Sequence, residues 1–355
     1  MKRRPIRLLV GILVGTVLFF SVGEGRGDNG PLHQAIQTPP ISLGTSGGNI
    51  LDHSRRYCCS GTLGALVQKG STYYILSNNH VLARMNRGRV GEGISQPGLV
   101  DYNCGVPPIV AYLSDFVRIF FASRRTNVAD AAIAQINPGQ VRIGGDILDV
   151  GQISGSTVPP TIGLAIQKSG RTTGHTLGTI AAIDATIHVR YFSRCGSRLG
   201  RTATFVNQMV IGAGFSNSGD SGSLVLDRAS PPNAVGLLFA GNATTTVCNP
   251  IDDVLGALGV SLVGTPSIPA GSTTLPQEAS APEVAVVRAV KARHEGAIFA
   301  SHPAVCGVGV GRGAVERLVI QVYAERDLHS VRRAIPHMLD GVSVEVIETG
   351  EIIAY

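Results

Sequence analysis

Short apolar runs separated by glycine-rich turns make up most of the chain. Residues 62–67 form a first run, 68–71 carry turn chemistry, and 73–77 form a second run rich in β-formers. That spacing predicts a β-hairpin. Further strand-like runs lie at 116–121, 128–134, 162–167, 177–191, 202–211, 224–226 and 234–241, with Pro231-Pro232-Asn233 as a turn before the last. Residues 84–108 are loop-like, and 148–160 connect two halves of the pattern. Periods of 3.6 are rare before residue 264; one short helix is expected over 249–259, capped by Asn249 or Asp252. With 45 glycines in 355 residues, this pattern favours an all-β architecture with many turns.

The pattern changes twice. Residues 24–56 are rich in Gly, Pro, Ser and Thr and are expected to form a flexible N-terminal arm, with ordered sequence starting near Tyr57. Residues 264–282 have the composition of a linker. Beyond it, 284–292 has helical spacing, Leu318, Ile320 and Val322 alternate, 328–338 is partly helical up to Pro336, and Val342, Val344 and Val346 alternate again. This predicts a small α+β module over 283–355. Its Gly307-Val308-Gly309-Val310-Gly311 lacks the G-x-G-x-x-G spacing and following helix of a dinucleotide site, so nucleotide binding is not expected.

At the N-terminus, Lys2, Arg3, Arg4 and Arg7 precede an uncharged apolar run over 8–22, and Ser21-Val22-Gly23 offers small residues for cleavage. Residues 1–23 therefore read as a signal peptide. An uncleaved anchor is the rival, disfavoured by the shortness of the run. The four cations of this segment account for most of the formal +6. The mature charge is too small to imply nucleic acid or stable membrane association. The expected location is secreted or periplasmic. Six cysteines, Cys58, Cys59, Cys104, Cys195, Cys248 and Cys306, contain no C-x-x-C pair. In an exported chain disulfides are expected in place of a zinc site. No acidic cluster has calcium-ligand spacing, so neither metal nor cofactor is expected.

Candidate chemistry begins at Gly219-Asp220-Ser221-Gly222-Ser223, which ends a Gly/Ser-rich loop and runs into 224–226. A serine between glycines suits a nucleophile in a tight turn, with backbone N–H groups converging beside its hydroxyl. An ordinary turn is the plain alternative. Upstream, His80 follows a strand-like run, and Asp130 interrupts the small apolar segment 128–134. A carboxylate there needs a partner: backbone N–H groups, or an imidazole that it orients.

The order His80, Asp130, Ser221 is that of the chymotrypsin arrangement. Over residues 57–263 the chain resembles the trypsin/chymotrypsin-like serine peptidases, in a bacterial-type version. The likeness rests on Ser60-Gly61-Thr62, Ser77-Asn78-Asn79-His80-Val81, Val128-Ala129-Asp130-Ala131-Ala132-Ile133, Gly170-Arg171-Thr172-Thr173-Gly174 and Gly219 to Ser223. It implies two packed six-stranded β-barrels, with His80 and Asp130 on the first and Ser221 on the second. It further implies an exported serine endopeptidase with a polypeptide substrate, a Ser221–His80–Asp130 triad and an oxyanion hole at the Gly219 and Ser221 N–H groups. Phe215, Ala240, Gly241 and Asn242 fall where the family binds substrate. Arg171 and His175 either line that pocket or pin a turn. Ser223 stands where the animal enzymes usually have glycine, and Val81 replaces a cysteine. Cys59 or Cys58 is therefore expected to pair with Cys104, and Cys195 with Cys248. Competing functions are a catalytically silent binding protein of the same fold and an esterase using the same triad. The C-terminal module is expected to aid folding, mask the cleft or bind a partner.

Overall fold

A computed structural model describes residues 32–121, 125–265 and 281–355. The expected signal peptide and most of the expected linker lie outside the described residues.

The first half builds β1 (Thr45–Asn49), β2 (Gly61–Leu63), β3 (Ala65–Lys69), β4 (Thr72–Ser77), β5 (Gly93–Ser95), β6 (Ile109–Phe116), the short β7 (Thr126–Asn127) and β8 (Ala132–Ile136). A single helical turn, α1 (Asn79–Leu82), follows β4. The expected hairpin is β3–β4, in register from Ala65↔Leu76 to Lys69↔Thr72. It turns at Gly70, whose φ of +60° favours glycine. The sheet runs β3-β4-β8-β6-β5-β1-β2. Only Gly64 separates β2 from β3 in the chain, so the path returns to its start. Leu66, Ile75, Leu76, Ile94, Leu113 and Ile133 fill the interior.

The second half builds β9 (Ala165–Gly170), β10 (Gly174–Phe192), β11 (Gly200–Ile211), β12 (Leu224–Asp227), β13 (Ala234–Gly241) and β14 (Thr246–Pro250). Their order β10-β9-β12-β13-β14-β11, with β11 pairing back to β10, is a closed ring of six strands. The two-barrel, chymotrypsin-like architecture is thus present. The helix α2 (Ile251–Leu258) and β15 (Ser261–Leu262) then return the chain to the first half, where β15 pairs with β3. Leu224, Leu237, Ile251 and Val254 pack into the first half's core and join the two halves.

The N-terminal stretch departs from expectation. Residues 32–56 are not a loose arm within the described part: β1 pairs with both β2 and β5 and is wholly buried. Its sequence, Thr-Ser-Gly-Gly-Asn, carries no apolar alternation. Glycine is required for close packing instead: a Cβ at Gly47 would stand 2.4 Å from the Leu63 side chain. The α2 cap also differs. Pro250 occupies the N-cap position with no side-chain bond. Asn249 is turned inward, its Oδ1 accepting from the Asp130 N–H at 3.0 Å and its Nδ2 donating to Gln208 at 2.6 Å.

The C-terminal part is α+β, as expected: α3 (Ala281–Ser301), β16 (Val305–Arg312), β17 (Leu318–Ala324), α4 (Leu328–Ala334), β18 (Met338–Leu339), β19 (Val342–Glu348) and β20 (Ile353–Ala354). Asp327 caps α4 by accepting from the Ser330 N–H, and the helix stops two residues before Pro336, as proline requires. The residues Gly307 to Gly311 lie inside β16. Val308 and Val310 face a core shared with Val287 and Val290 of α3, each such burial being worth about 1.5–3 kcal/mol. The intervening glycines leave room for Ile187, Tyr323 and Gln321 on the other face. β16 pairs antiparallel with β10, from Ala182↔Gly311 to Ile187↔Gly307. The linker therefore divides the chain but not the sheet, and one core holds Met209 and Leu238 together with Val308 and Ile320.

Two disulfides, Cys58–Cys104 and Cys59–Cys195, tie down the segment before β2. The first is one of the two expected pairings with Cys104. The expected Cys195–Cys248 bond is absent, since Cys195 is taken by Cys59. Cys248 lies in β14, opposite Met209, and both Cys248 and Cys306 are buried free thiols. Burial pushes both thiols up, Cys306 to about 11. Among the described residues, no helix is long and apolar enough to cross a membrane.

Candidate active site

His80 sits in α1, directly after β4, and Asp130 directly before β8. Because β4 and β8 are paired from Tyr74↔Gln135 to Ser77↔Ala132, the two residues meet at one end of the sheet. Asp130 Oδ2 accepts from His80 Nδ1 at 2.6 Å, and its Oδ1 accepts from the His80 N–H at 3.2 Å. Asn78 Nδ2 donates to the Asp130 carbonyl at 2.7 Å. The carboxylate is fully buried and has a third donor that no local motif marks: the Tyr191 hydroxyl, at 2.8 Å. Burial, together with the charge of Asp130, pushes the Tyr191 phenol well above its ordinary range, so it remains a donor. Tyr191 lies near the end of the long β10, 61 residues from its partner.

The Gly219–Ser223 loop is fastened from both halves. The Thr62 N–H donates to the Ser221 carbonyl at 2.8 Å, and Thr62 Oγ1 to the Gly219 carbonyl at 3.0 Å. Gly219 and Gly222 have φ of +98° and +95°, and a Cβ on Gly222 would stand 2.2 Å from Ser77 Oγ. Both positions therefore demand glycine. Asp220 points away from the imidazole into the Gly170–Gly174 turn. It accepts from the N–H groups of Thr172, Thr173 and Asn217 at 2.8, 3.1 and 2.9 Å, and from Thr173 Oγ1 at 2.7 Å. The Lys168 ammonium stands 3.5 Å away; burial lowers its affinity for a proton and Asp220 opposes that shift. The departure at Ser223 has a local reason: its Oγ donates to the Asp220 carbonyl at 2.6 Å.

Ser221 is fully buried, and its Oγ donates to the Phe239 carbonyl at 3.0 Å. The N–H of Tyr355 reaches the same carbonyl at 3.4 Å, and His80 Nε2 meets the Tyr355 main-chain oxygen at 2.8 Å. Ser221 Oγ therefore bonds a main-chain carbonyl and not the imidazole, and Tyr355 touches both that carbonyl and His80. Within the loop, the N–H groups of Asp220, Gly222 and Ser223 go to the carbonyls of Asn217, Leu238 and Asp220. A cavity of about 120 Å³ lies beside His80, Cys59, Arg194 and Asp52. Burial raises the Asp52 carboxyl, against the pull of Arg87.

The expected substrate-binding residues divide. Phe215 is a core residue with a 1% exposed ring, packed where a Cβ on Gly178 would touch it; it offers no open face. Ala240 and Gly241 form the edge of β13, paired antiparallel with Ala354 and Ile353. Asn242 Nδ2 holds the carbonyls of Thr349 and Glu351 at 2.7 and 3.1 Å. Arg171 forms a two-pronged bond with Asp101, at 2.7 and 2.6 Å, and His175 pairs with Gln167 at 2.9 Å. Both therefore pin local structure, the plainer of their two expected roles. Among the described residues, no group of His, Cys, Asp and Glu is arranged to hold a metal ion.

No protein-family model matches the chain, and no curated protein matches it. Solved structures that resemble it include a glutamic acid-specific serine protease, at 20% identity and a TM-score of 0.44, covering 62% of this chain and 100% of that one. Thermobifida fusca protease A is similar at 20% identity and a TM-score of 0.41, over 63% of this chain and 98% of its own. A Cellulomonas bogoriensis chymotrypsin is similar at 19% identity and a TM-score of 0.40, over 63% and 99%.

Proposed function

We propose that the chain is an exported serine endopeptidase in which Ser221 is the nucleophile, His80 the general base and Asp130 its orienting carboxylate. One observation carries this reading. The imidazole is bracketed by Asp130 at Nδ1, while Nε2 meets an oxygen of the residue whose N–H shares the Phe239 carbonyl with Ser221 Oγ. Base and hydroxyl are not bonded to each other; both stand next to Tyr355, whose oxygen meets the imidazole and whose N–H shares the Phe239 carbonyl with Ser221 Oγ.

The chemistry rests on those positions. When Ser221 Oγ turns from the Phe239 carbonyl towards His80, it bonds to the substrate carbonyl carbon as its proton passes to Nε2. The oxygen of that carbonyl becomes an oxyanion, held by the Gly219 and Ser221 N–H groups, each worth about 2.7–4 kcal/mol. Breaking the C–N bond sends the Nε2 proton to the leaving amine. Water then repeats the sequence on the acyl-enzyme and frees Ser221. Asp130 fixes the tautomer and stabilises the imidazolium, and Tyr191 fixes Asp130.

A fluorophosphonate probe tests the assignment. Labelling of Ser221 in the full chain, lost in Ser221→Ala, is the expected result. Absence of labelling under every condition, or labelling unchanged in Ser221→Ala, would defeat the reading. Digestion of a peptide library separates peptidase from esterase.

A further inference from the structure

The chain's own last described residues lie against His80 and the end of β13. β20 lies antiparallel along the end of β13, beyond the part paired with β12, with Ala354 opposite Ala240 and Ile353 opposite Gly241; it also pairs parallel with β10 at Arg190. The Tyr355 N–H is directed at the Phe239 carbonyl, 3.4 Å away, and its main-chain oxygen meets His80 Nε2 at 2.8 Å. The Tyr355 side chain enters the gap between β13 and the loop before Ser221. Its hydroxyl donates to the Asn242 carbonyl at 3.0 Å. A Cβ on Gly241 would come within 2.5 Å of that hydroxyl oxygen, so glycine leaves the space the ring uses. Burial is the main cause that moves the phenol up to about 12, countered by a hydrogen bond to Ser216.

The tail is held from behind as well. Arg190 donates its N–H to the Ile352 carbonyl at 2.9 Å and pairs with Glu351 at 2.8 Å. Gly350, at φ +78°, turns the chain out of the last strand of the module towards the cleft. Asn242 grips the Thr349 and Glu351 carbonyls. A strand merely closing the fold needs neither a side chain in the gap beside the serine nor an oxygen on the imidazole.

We propose that Ile353–Tyr355 is an internal competitive ligand of the cleft, seated as the acyl-side residues of a peptide substrate would be. This rests on the peptidase reading and deepens it. The tail also displays the substrate class: a phenolic or other aromatic side chain immediately before the scissile bond, preceded by a small residue. The gap offers an aromatic ring a glycine floor and gives its hydroxyl a carbonyl acceptor at the end. A carboxylate placed there would face the Asn242 carbonyl oxygen, which disfavours acidic residues.

The test uses the full chain as wild type, Tyr355→Asp and Tyr355→Gly, each with and without Ser221→Ala. Fluorescence anisotropy tracks a dye-labelled Glu-Ile-Ile-Ala-Tyr peptide, and needs no chemistry. The two tail variants in the Ser221→Ala background should bind the peptide at least tenfold more tightly than Ser221→Ala alone. Equal affinity in all forms would overturn the proposal. In the Ser221 forms, tail substitution should raise the rate of fluorophosphonate labelling at least tenfold, and unlabelled peptide should restore the slow rate. Labelling that is independent of both tail and peptide would also overturn it. A chain that binds the peptide in a tail-dependent way and never labels would defeat the peptidase assignment and leave the ligand role standing. In the unmasked variants, library cleavage after Glu or Lys in preference to Tyr and Phe would overturn the substrate class.

Discussion

Two carboxylates, Asp130 and Asp220, are each wholly buried, each sits among small residues, and each lies next to a proposed catalytic group. Their partners differ. Asp130 bonds two side chains, an imidazole and a phenol that remains a donor. Asp220 bonds three backbone N–H groups and a threonine hydroxyl, with a lysine ammonium beside it. The first carboxylate bonds the His80 ring and, in the proposed reading, orients the base. The second points into the Gly170–Gly174 turn and sets the shape of the loop that presents Ser221. The type of donor, more than burial or charge, separates a chemical role from an architectural one.

The sharpest way to break this distinction is Asp130→Asn. If Asp130 orients the base, kcat should fall about 10⁴-fold, through the wrong imidazole tautomer. A loss below tenfold would place Asp130 with Asp220. Asp220→Asn should act on stability first. It leaves the buried Lys168 ammonium without its counter-charge, and breaking such a pair costs about 3–5 kcal/mol. Urea unfolding reads this directly, and Asp220→Asn combined with Lys168→Met should recover part of the loss. Stability unchanged in Asp220→Asn would show that the backbone bonds alone shape the loop.

Tyr191→Phe sharpens the Asp130 side. Removing one hydrogen bond to a buried carboxylate costs about 1.5–3 kcal/mol, so kcat should drop roughly 10- to 100-fold while KM stays near its original value. An effect on KM alone would make Tyr191 a wall of the cleft. The smallest effect concerns His33, whose Nε2 bonds Ser169 at 2.9 Å. Burial lowers its pKa below 6.5, partly opposed by Asp149. The unfolded chain therefore binds the proton more readily, and His33 adds stability above pH 6.5 that is lost as the pH falls through its lowered folded value. Melting curves from pH 8 to pH 5 should show this slope, and His33→Gln should flatten it.

Part of this was legible in the sequence. The β3–β4 hairpin and the alternation of β17 and β19 are local patterns, and the motifs around His80, Asp130 and Ser221 occur in one order. Other features arise only between distant residues. β1 has no apolar signature because its close packing depends on glycine, which in sequence reads as loop. Tyr191 sits in a long strand and acquires its partner through the meeting of two sheets. The composition change at residue 264 signals a separate module, but pairing of β10 with β16 depends on a free sheet edge, which no local pattern reveals. Cys59 finds Cys195, rather than Cys104, because the end of β10 folds back over the first half.

The pairing of β10 with β16 also governs the effect of removing the module. Clipping the chain near residue 281 and losing the C-terminal part would bare the main-chain donors and acceptors of residues 182–187, together with the apolar side chains that α3 and β17 now cover. A long unprotected strand edge recruits other strands, including those of neighbouring molecules. Shedding the module would thus favour self-association of the barrels. Relief of the cleft without that hazard requires only the last few residues to lift away, while β16 stays in place as a permanent edge guard.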